Sequence, residues 1–275
     1  MNAKRPTLNS CYAVVLLAAL FHSVWVAADA APTVDDVPTP ATDPVLARNL
    51  EAMTEQPGVL DLDWRQPMES VVGSAVALPV APANSFPAPA ALAEARDYSD
   101  AHKGYGMLVW HKGQIVDSHF AEGVSEQTLF TPFSMHKSVL ALAVLAAVED
   151  GIIGSLDEGV GTYIPEWSND ERGAVTLRQL LQQTSGLEHF SFTSGDPRAA
   201  ALSLSSRISL TALTYPLEKT PGTEFNYSNV NSQIVGTALE NALARRGERY
   251  ATYLSERLWQ PLGNGDAKLW LEAEN

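Results

Sequence analysis

The chain has 275 residues, of which 45% are hydrophobic and 18% charged, as in an ordinary globular protein with a sizeable core. Its formal net charge of −14 predicts an acidic surface, which argues against nucleic acids and anionic membranes as partners. Composition and net charge thus argue against some classes of partner, but they do not indicate a particular fold.

The first thirty residues predict an export signal. Lys4 and Arg5 give a basic start, residues 12–28 are mostly apolar, and Ala28-Asp29-Ala30 fits the A-x-A cleavage pattern. The alternative is a single membrane anchor, but polar residues interrupt an apolar stretch that is already short for a span. We therefore expect cleavage of residues 1–30, a periplasmic or secreted protein, and no stable membrane insertion afterwards.

The only cysteine of the chain, Cys11, lies inside this predicted signal. The mature protein would then contain no cysteine. That would exclude disulfides, a thiol nucleophile and a cysteine-ligated metal.

Residues 31–100 are rich in proline and alanine and predict a partly ordered leader, with residues 61–64 as the only ordered patch. From about residue 101 the pattern changes. Residues 106–110 and 114–120 read as two strands around a short turn, which predicts a β-hairpin that opens an antiparallel sheet.

A helix is predicted from Ser134 to Val148, with Gly151 as its C-terminal cap. Its ten consecutive apolar residues, 139–148, leave no polar face, so we expect burial on all sides. The run is too short to cross a membrane. Three more helices are predicted, over residues 176–183, 231–244 and 250–258. The long Ser-rich segment 187–219 suggests a lid or pocket wall.

Ser134 and Lys137 form the single S-x-x-K tetrad of the chain. Residues three apart are neighbours on a helix, so the hydroxyl and the amine share one face. A serine hydroxyl needs a base to become a nucleophile, and a lysine can be that base when desolvation or nearby positive charge destabilises its ammonium form. The positive end of the helix dipole favours both changes. The alternative is that Ser134 caps the helix and Lys137 points to solvent.

Tyr227-Ser228-Asn229 is the single Y-x-N motif. A phenol can pass a proton to a leaving group, or act as the base if cationic neighbours lower its pKa. The amide of Asn229 can orient the lysine or hold a substrate carbonyl. The alternative is a core tyrosine at a turn that Pro221-Gly222 makes.

Other hydrolase signatures are absent, since no G-x-S-x-G elbow and no H-E-x-x-H motif occurs. His136 lies two residues from Ser134 and should face away from it on a helix. His189 is expected to be exposed. A Ser-His-Asp triad and a metal hydrolase are therefore disfavoured.

Several segments resemble the β-lactamase-related serine hydrolases, a superfamily that holds class C β-lactamases, D-alanyl-D-alanine carboxypeptidases, certain esterases and 6-aminohexanoate-dimer hydrolases. They are residues 133–138, 156–167, 180–187 and 221–229. The serine that follows Lys137 and the Y-I-P-E-W sequence at 163–167 look most like the last group.

The resemblance implies an α/β fold of the α+β type, with an antiparallel sheet flanked by helices and an all-helical subdomain. It implies Ser134 as the acyl-enzyme nucleophile, Lys137 as its base and Tyr227 as proton carrier, with Asn229 as a substrate or lysine contact. The implied substrate is a small ester or amide, with no cofactor and no metal. Relatives continue into further strands that carry a third motif, K-T-G or H-x-G. No such motif follows Asn229, so residues 101–275 are expected to be an incomplete domain.

Three functional hypotheses follow. The first is an exported serine hydrolase that cleaves an ester or small amide through a Ser134 acyl-enzyme. The second is a β-lactamase or D-alanyl-D-alanine carboxypeptidase. The third is a non-catalytic, truncated relative that acts as a binding module. The sequence leaves the oligomeric state open.

Overall fold

The computed structural model describes residues 31–82, 88–189 and 194–272, together with the backbone of a two-residue strand near the N-terminus. The strands are β1 (Val15–Leu16), β2 (Met68–Val71), β3 (Gly106–His111), β4 (Gln114–Phe120) and β5 (Ala267–Trp270). The helices are α1 (Pro44–Thr54), α2 (Pro89–Ala101), α3 (His136–Glu149), α4 (Leu177–Leu181), α5 (Pro197–Leu204), α6 (Ile208–Leu213), α7 (Asn229–Ala244) and α8 (Tyr250–Leu254). A π-helical turn, Ser255–Trp259, continues α8.

The strands form two small sheets. β3 and β4 pair as the antiparallel hairpin that the sequence predicts, with an irregular register between Val109 and Trp110. The other sheet has the order β1-β5-β2, in which β2 runs antiparallel to β5 and β1 runs parallel to it. The predicted mixed α/β class, with helices around small sheets and a largely helical remainder, is confirmed.

Helix α7 is the centre of the hydrophobic core. It packs against α3, α4 and α6, and its side chains Ile234 and Leu239 are fully buried. The three predicted helices after residue 175 are confirmed, with α7 beginning two residues earlier than expected. Burial of this apolar surface is the main stabilising contribution to such a fold.

The expectation that α3 is buried on all sides is wrong. Leu142 and Leu145 are 49% and 48% exposed, whereas Ala143 and Val144 are fully buried. α3 packs against α7 and the π-helical turn, which cover one side. The helical period places Leu142 and Leu145 together on another side. An apolar run therefore predicted the helix but not its burial. The helix ends as predicted, with Gly151 at φ +67°.

The expectation of a leader with only residues 61–64 ordered is also wrong, because α1, β2 and α2 lie within residues 31–100. Asp43 caps α1 by accepting hydrogen bonds from the backbone N–H groups of Val45 and Leu46. The buried Asn49 side chain donates to the carbonyl oxygen of Leu204 at 2.8 Å. This distant contact, which no local pattern indicates, attaches α1 to α5.

The segment 187–219 contains α5 and α6 instead of a lid. Ala201 and Ala212, one on each helix, are fully buried in the core. The segment does form part of a pocket wall, since Leu202 and Ile208 line the cavity described below. Residues 190–193 lie outside the described residues.

The predicted signal, residues 1–30, lies outside the described residues apart from the backbone of β1. Within the part of the chain that the structure describes, no helix is both long enough and apolar enough to cross a membrane.

Candidate active site

A strained turn presents Ser134 at the start of α3. Residues Phe133–Met135 form one 3-10 turn that leads directly into the helix. Phe133 has φ +47°, a left-handed conformation that costs energy for a residue with a side chain and is common near functional sites. Ser134 does not cap the helix, because α3 begins without a side-chain cap. The capping interpretation of Ser134 is therefore wrong.

Lys137 joins the serine to the second motif. Its Nζ donates hydrogen bonds to Ser134 Oγ at 3.0 Å and to Asn229 Oδ1 at 2.7 Å. Lys137 is half-buried, so its ammonium does not lie free in solvent. Asn229 is the first residue of α7, and its contact is with the lysine, one of the two roles that the motif suggested. Two hydrogen bonds thus fix the amine beside the hydroxyl.

Tyr227 completes the group. A hydrogen bond with Ser134, and then the hydrogen bond and positive charge of Lys137, lower the pKa of the Tyr227 phenol, although partial desolvation opposes them. Lys137 Nζ lies 5.0 Å from the centre of the ring. The ring is 48% exposed, so the interpretation of Tyr227 as a core tyrosine is wrong. The structure brings all four predicted site residues together.

The loop that carries Tyr227 is held by residues that the sequence did not single out. Gln183 Oε1 accepts hydrogen bonds from the backbone N–H of Ser228 at 2.8 Å and from Asn231 Nδ2 at 3.0 Å. The Gln183 carbonyl accepts from the N–H of Asn226 at 2.8 Å. Ser228 then caps α7 by accepting from Val230 N at 3.1 Å. Gln183 lies in segment 180–187, which carries part of the family resemblance. That resemblance is the only feature of the sequence that could have pointed to a role for Gln183.

A cavity of about 420 Å³ opens beside Ser134, a size typical of small-molecule sites. Its wall includes Lys137, Asn229, Ser232 and Gln233 on the polar side. The apolar lining consists of Met53, Phe133, Leu140, Leu202, Leu204, Ile208 and Trp270. A second set of polar side chains lines the same cavity: Trp64, Arg65, His136 and Tyr250.

His136 lies in the cavity wall and makes no hydrogen bond to the serine, in line with the helix geometry. Its ring lies edge-on to Tyr250, with 6.1 Å between ring centres, and neither ring nitrogen has a hydrogen-bond partner among the described residues. Burial, helped by the charge of Lys137, lowers the pKa of His136 to about 4. The ring is thus neutral near pH 7 and makes no hydrogen bond to Ser134. His189 is exposed, as expected.

Residues 31–82, 88–189 and 194–272 contain no group of three or more His, Cys, Asp or Glu side chains placed to hold a metal ion.

The sequence model of the β-lactamase family matches residues 90–275, and the chain belongs to this family. With this fold and its structural neighbours, the chain is a member of the β-lactamase-related serine hydrolase superfamily. The matched region begins eleven residues before the boundary at residue 101 that the sequence suggested.

Particular relatives are similar over part of their length. Protein flp of Staphylococcus aureus (strain COL) is 27% identical over 164 residues, which cover 58% of this chain and 30% of that protein. Esterase EstB of Burkholderia gladioli is 28% identical over 177 residues, which cover 59% of this chain and 44% of EstB. This chain thus spans less than half the length of either relative.

Among solved structures, a provisionally assigned 6-aminohexanoate-dimer hydrolase from Bacillus anthracis superposes with a TM-score of 0.64 at 20% identity. The match covers 88% of this chain and 66% of that one. At this identity the likeness shows a shared fold.

Proposed function

We propose that this protein is an exported serine hydrolase that cleaves an ester or small amide bond through an acyl-enzyme on Ser134. The observation that carries the proposal is the position of Lys137 Nζ, 3.0 Å from Ser134 Oγ and 2.7 Å from Asn229 Oδ1. A nucleophile and a base within hydrogen-bond reach, with a third group that orients the base, is the arrangement that activates a serine. The name of the relative EstB supports an ester substrate.

The reaction has two halves. Lys137 takes the proton of the Ser134 hydroxyl while Oγ bonds to the substrate carbonyl carbon. Tyr227 then gives its proton to the leaving alcohol or amine, the bond to that group breaks, and an ester on Ser134 remains. Lys137 then passes the serine proton to the Tyr227 phenolate. A water molecule attacks the ester while Lys137 takes one of its protons, and Lys137 gives that proton to the serine oxygen as the acid leaves, so that all three groups return to their starting state. The N-terminal end of α3 favours negative charge on Oγ during both attacks.

Export and the class of substrate are part of the proposal. Cleavage after Ala30 would remove β1 and leave the β2–β5 pair intact. N-terminal sequencing of the protein from the periplasm or medium should begin at Ala31. A cytoplasmic protein that still carries residue 1 contradicts export. The acidic net charge supports a small-molecule partner over nucleic acid.

Active-site labelling tests the assignment of the nucleophile. The protein is incubated with a fluorophosphonate probe, digested, and the labelled peptide identified by mass spectrometry. The label should lie on Ser134 and be absent from the Ser134→Ala variant. Ser138, four residues along the same helix, provides the matched control as Ser138→Ala, which should label normally. Label on any other residue contradicts the proposal, and so does a protein that does not label, as the binding-module hypothesis expects.

Three substrates separate the remaining hypotheses: p-nitrophenyl acetate, a linear amide dimer and a chromogenic cephalosporin. Rapid turnover of the first or second, with the cephalosporin slow, supports an esterase or amidase. A reversed order favours the β-lactamase and D-alanyl-D-alanine carboxypeptidase hypothesis.

A further inference from the structure

The cavity beside Ser134 contains a buried arginine whose nearest acidic neighbour, Asp61, acts on it through charge but makes no ion pair with it. Arg65 is 4% exposed and forms no ion pair with a carboxylate among the described residues. Its Nη1 donates to the backbone carbonyl of Asp61 at 2.8 Å, while its Nε has no partner. The Asp61 carboxylate instead accepts from Gly58 N at 2.5 Å. A guanidinium stays charged at neutral pH, and an unpaired buried charge is unfavourable.

The arginine shares the cavity wall with other polar atoms that lack hydrogen-bond partners among the described residues. Its guanidinium carbon lies 4.2 Å from the ring centre of Trp64. The indole Nε1 of Trp64, both ring nitrogens of His136 and the hydroxyl of Tyr250 are buried without a hydrogen-bond partner in the described structure. All four side chains line the cavity. Buried polar groups are nearly always hydrogen-bonded, so a cluster of this kind indicates a ligand.

The side chains of this cluster favour a negatively charged ligand. A fixed cation flanked by N–H and O–H donors suits an anion with two oxygens, and arginine binds a carboxylate through paired hydrogen bonds. The cavity that this cluster shares with Ser134 is also lined by aliphatic side chains, among them Leu140, Leu202 and Ile208. Such a wall suits a methylene chain.

The exposure of Tyr227 decides which part of the substrate enters the cavity. Its ring is 48% exposed and does not line the cavity. If Tyr227 protonates the leaving group, that group departs on the solvent side. The cavity, which Ser134 lines and Tyr227 does not, then holds the acyl part.

We propose that the cavity binds an acyl chain ending in a carboxylate, which Arg65 holds, so that the substrates are half-esters or half-amides of aliphatic dicarboxylic acids. This inference rests on the proposed function of Ser134. It adds a binding residue and a substrate class to that function. Trp64, His136 and Tyr250 complete the recognition of the carboxylate, and the aliphatic wall sets the chain length.

The test compares two p-nitrophenyl esters of equal chain length, the adipic acid half-ester and the neutral hexanoate. Arg65→Gln should lower kcat/KM for the half-ester about 100-fold and change the hexanoate by less than about threefold, because it removes one member of a buried charge pair. Arg65→Lys keeps the positive charge but removes the paired N–H donors of the guanidinium. This variant should lower kcat/KM about tenfold for the half-ester and leave the hexanoate unchanged. The control Arg246→Gln, at an exposed ion pair with Glu248, should change neither.

Equal losses on both esters would assign Arg65 a structural role and overturn the proposal, as would no loss on either. Binding without chemistry separates this inference from the proposed function. Adipate should raise the Tm of Ser134→Ala, hexanoate should not, and Arg65→Gln added to Ser134→Ala should abolish the rise.

If Ser134 fails to label but adipate still stabilises Ser134→Ala, the proposed function fails and the carboxylate site stands. If Ser134 labels and adipate has no effect, the carboxylate site fails alone. Should Arg65→Gln not fold, the wild-type preference between the two esters and the adipate result decide.

Discussion

The two ends of the cavity differ in how their polar atoms are used. At the mouth, where Ser134, Lys137 and Asn229 line the cavity and Tyr227 lies beside it, the side chains interact with one another through short contacts. In a second polar group of the cavity wall, Trp64, Arg65, His136 and Tyr250, which we name the inner end, polar atoms are buried without hydrogen-bond partners among the described residues. Groups that perform chemistry must be held in place before substrate arrives. Groups that recognise a substrate keep hydrogen-bonding capacity for it.

Helix α3 connects the two ends. Lys137 points to the mouth and its neighbour His136 to the inner end, because consecutive residues on a helix project about 100° apart.

The largest effect is expected at the mouth. Lys137→Met should lower kcat about 10⁴-fold because it removes the base that activates Ser134. The Tm should change little, since the lysine is only half-buried. If Lys137→Met still binds adipate as the wild type does, the mouth performs the chemistry and the inner end binds the carboxylate independently of it. Retained activity would show that another group deprotonates Ser134.

Tyr227→Phe should lower kcat/KM about 10³-fold if the phenol delivers a proton to the leaving group. The lowered pKa of Tyr227 places an alkaline decline in the profile of the wild-type protein, because the phenol must be protonated to donate. That decline should vanish in the variant. A wild-type rate that rises with pH through the same pKa would instead make the phenolate the base.

The inner end is expected to show a pH-dependent stability through Glu240. Burial raises the pKa of this carboxyl to about 7, and its Oε2 accepts from the backbone N–H of Tyr250 at 3.0 Å. Between pH 4.5 and 7 the unfolded chain loses this proton while the folded protein keeps it, so Glu240 makes stability fall as pH rises.

Glu240→Gln keeps the acceptor and cannot ionise. Relative to wild type, the variant should gain about 2.5 kcal/mol in free energy of unfolding between about pH 5 and pH 8. Urea unfolding of both proteins measures this difference. The lowered pKa of His136 makes stability rise as pH rises, which is opposite to the effect of Glu240. Both proteins contain His136, so its contribution cancels in the difference between their free energies of unfolding. A difference that does not change with pH would contradict the raised pKa.

The smallest expected effects are on the free energy of unfolding, and they should differ between the buried and the exposed side of α3. Val144→Ala should cost about 2 kcal/mol in free energy of unfolding, because Val144 is fully buried. Leu145→Ala should cost less than about 1 kcal/mol, since Leu145 is half-exposed. Equal costs, measured by urea unfolding, would mean that another surface covers Leu145 in solution.

The mouth of the cavity was predictable because its contacts depend on short spacings. Ser134 and Lys137 lie three residues apart at a helix start, and Tyr227 and Asn229 lie within one loop–helix junction, so local geometry and a family resemblance placed all four. The β3–β4 hairpin and the end of α7 were predictable for the same reason, whereas α7 begins two residues before the predicted start. Hydrophobic period and turn residues act over a few positions.

The inner end depended on the tertiary structure. Arg65 precedes β2, His136 begins α3 and Tyr250 begins α8, and nothing in their separate neighbourhoods indicates that they meet. The sequence also did not predict the hydrogen bond by which Asn49 attaches α1 to α5. Nor did it predict that Leu142 and Leu145 are exposed. A sequence determines which segments are helical or apolar through local preferences. Which of their faces meet is decided by packing between segments far apart in the chain.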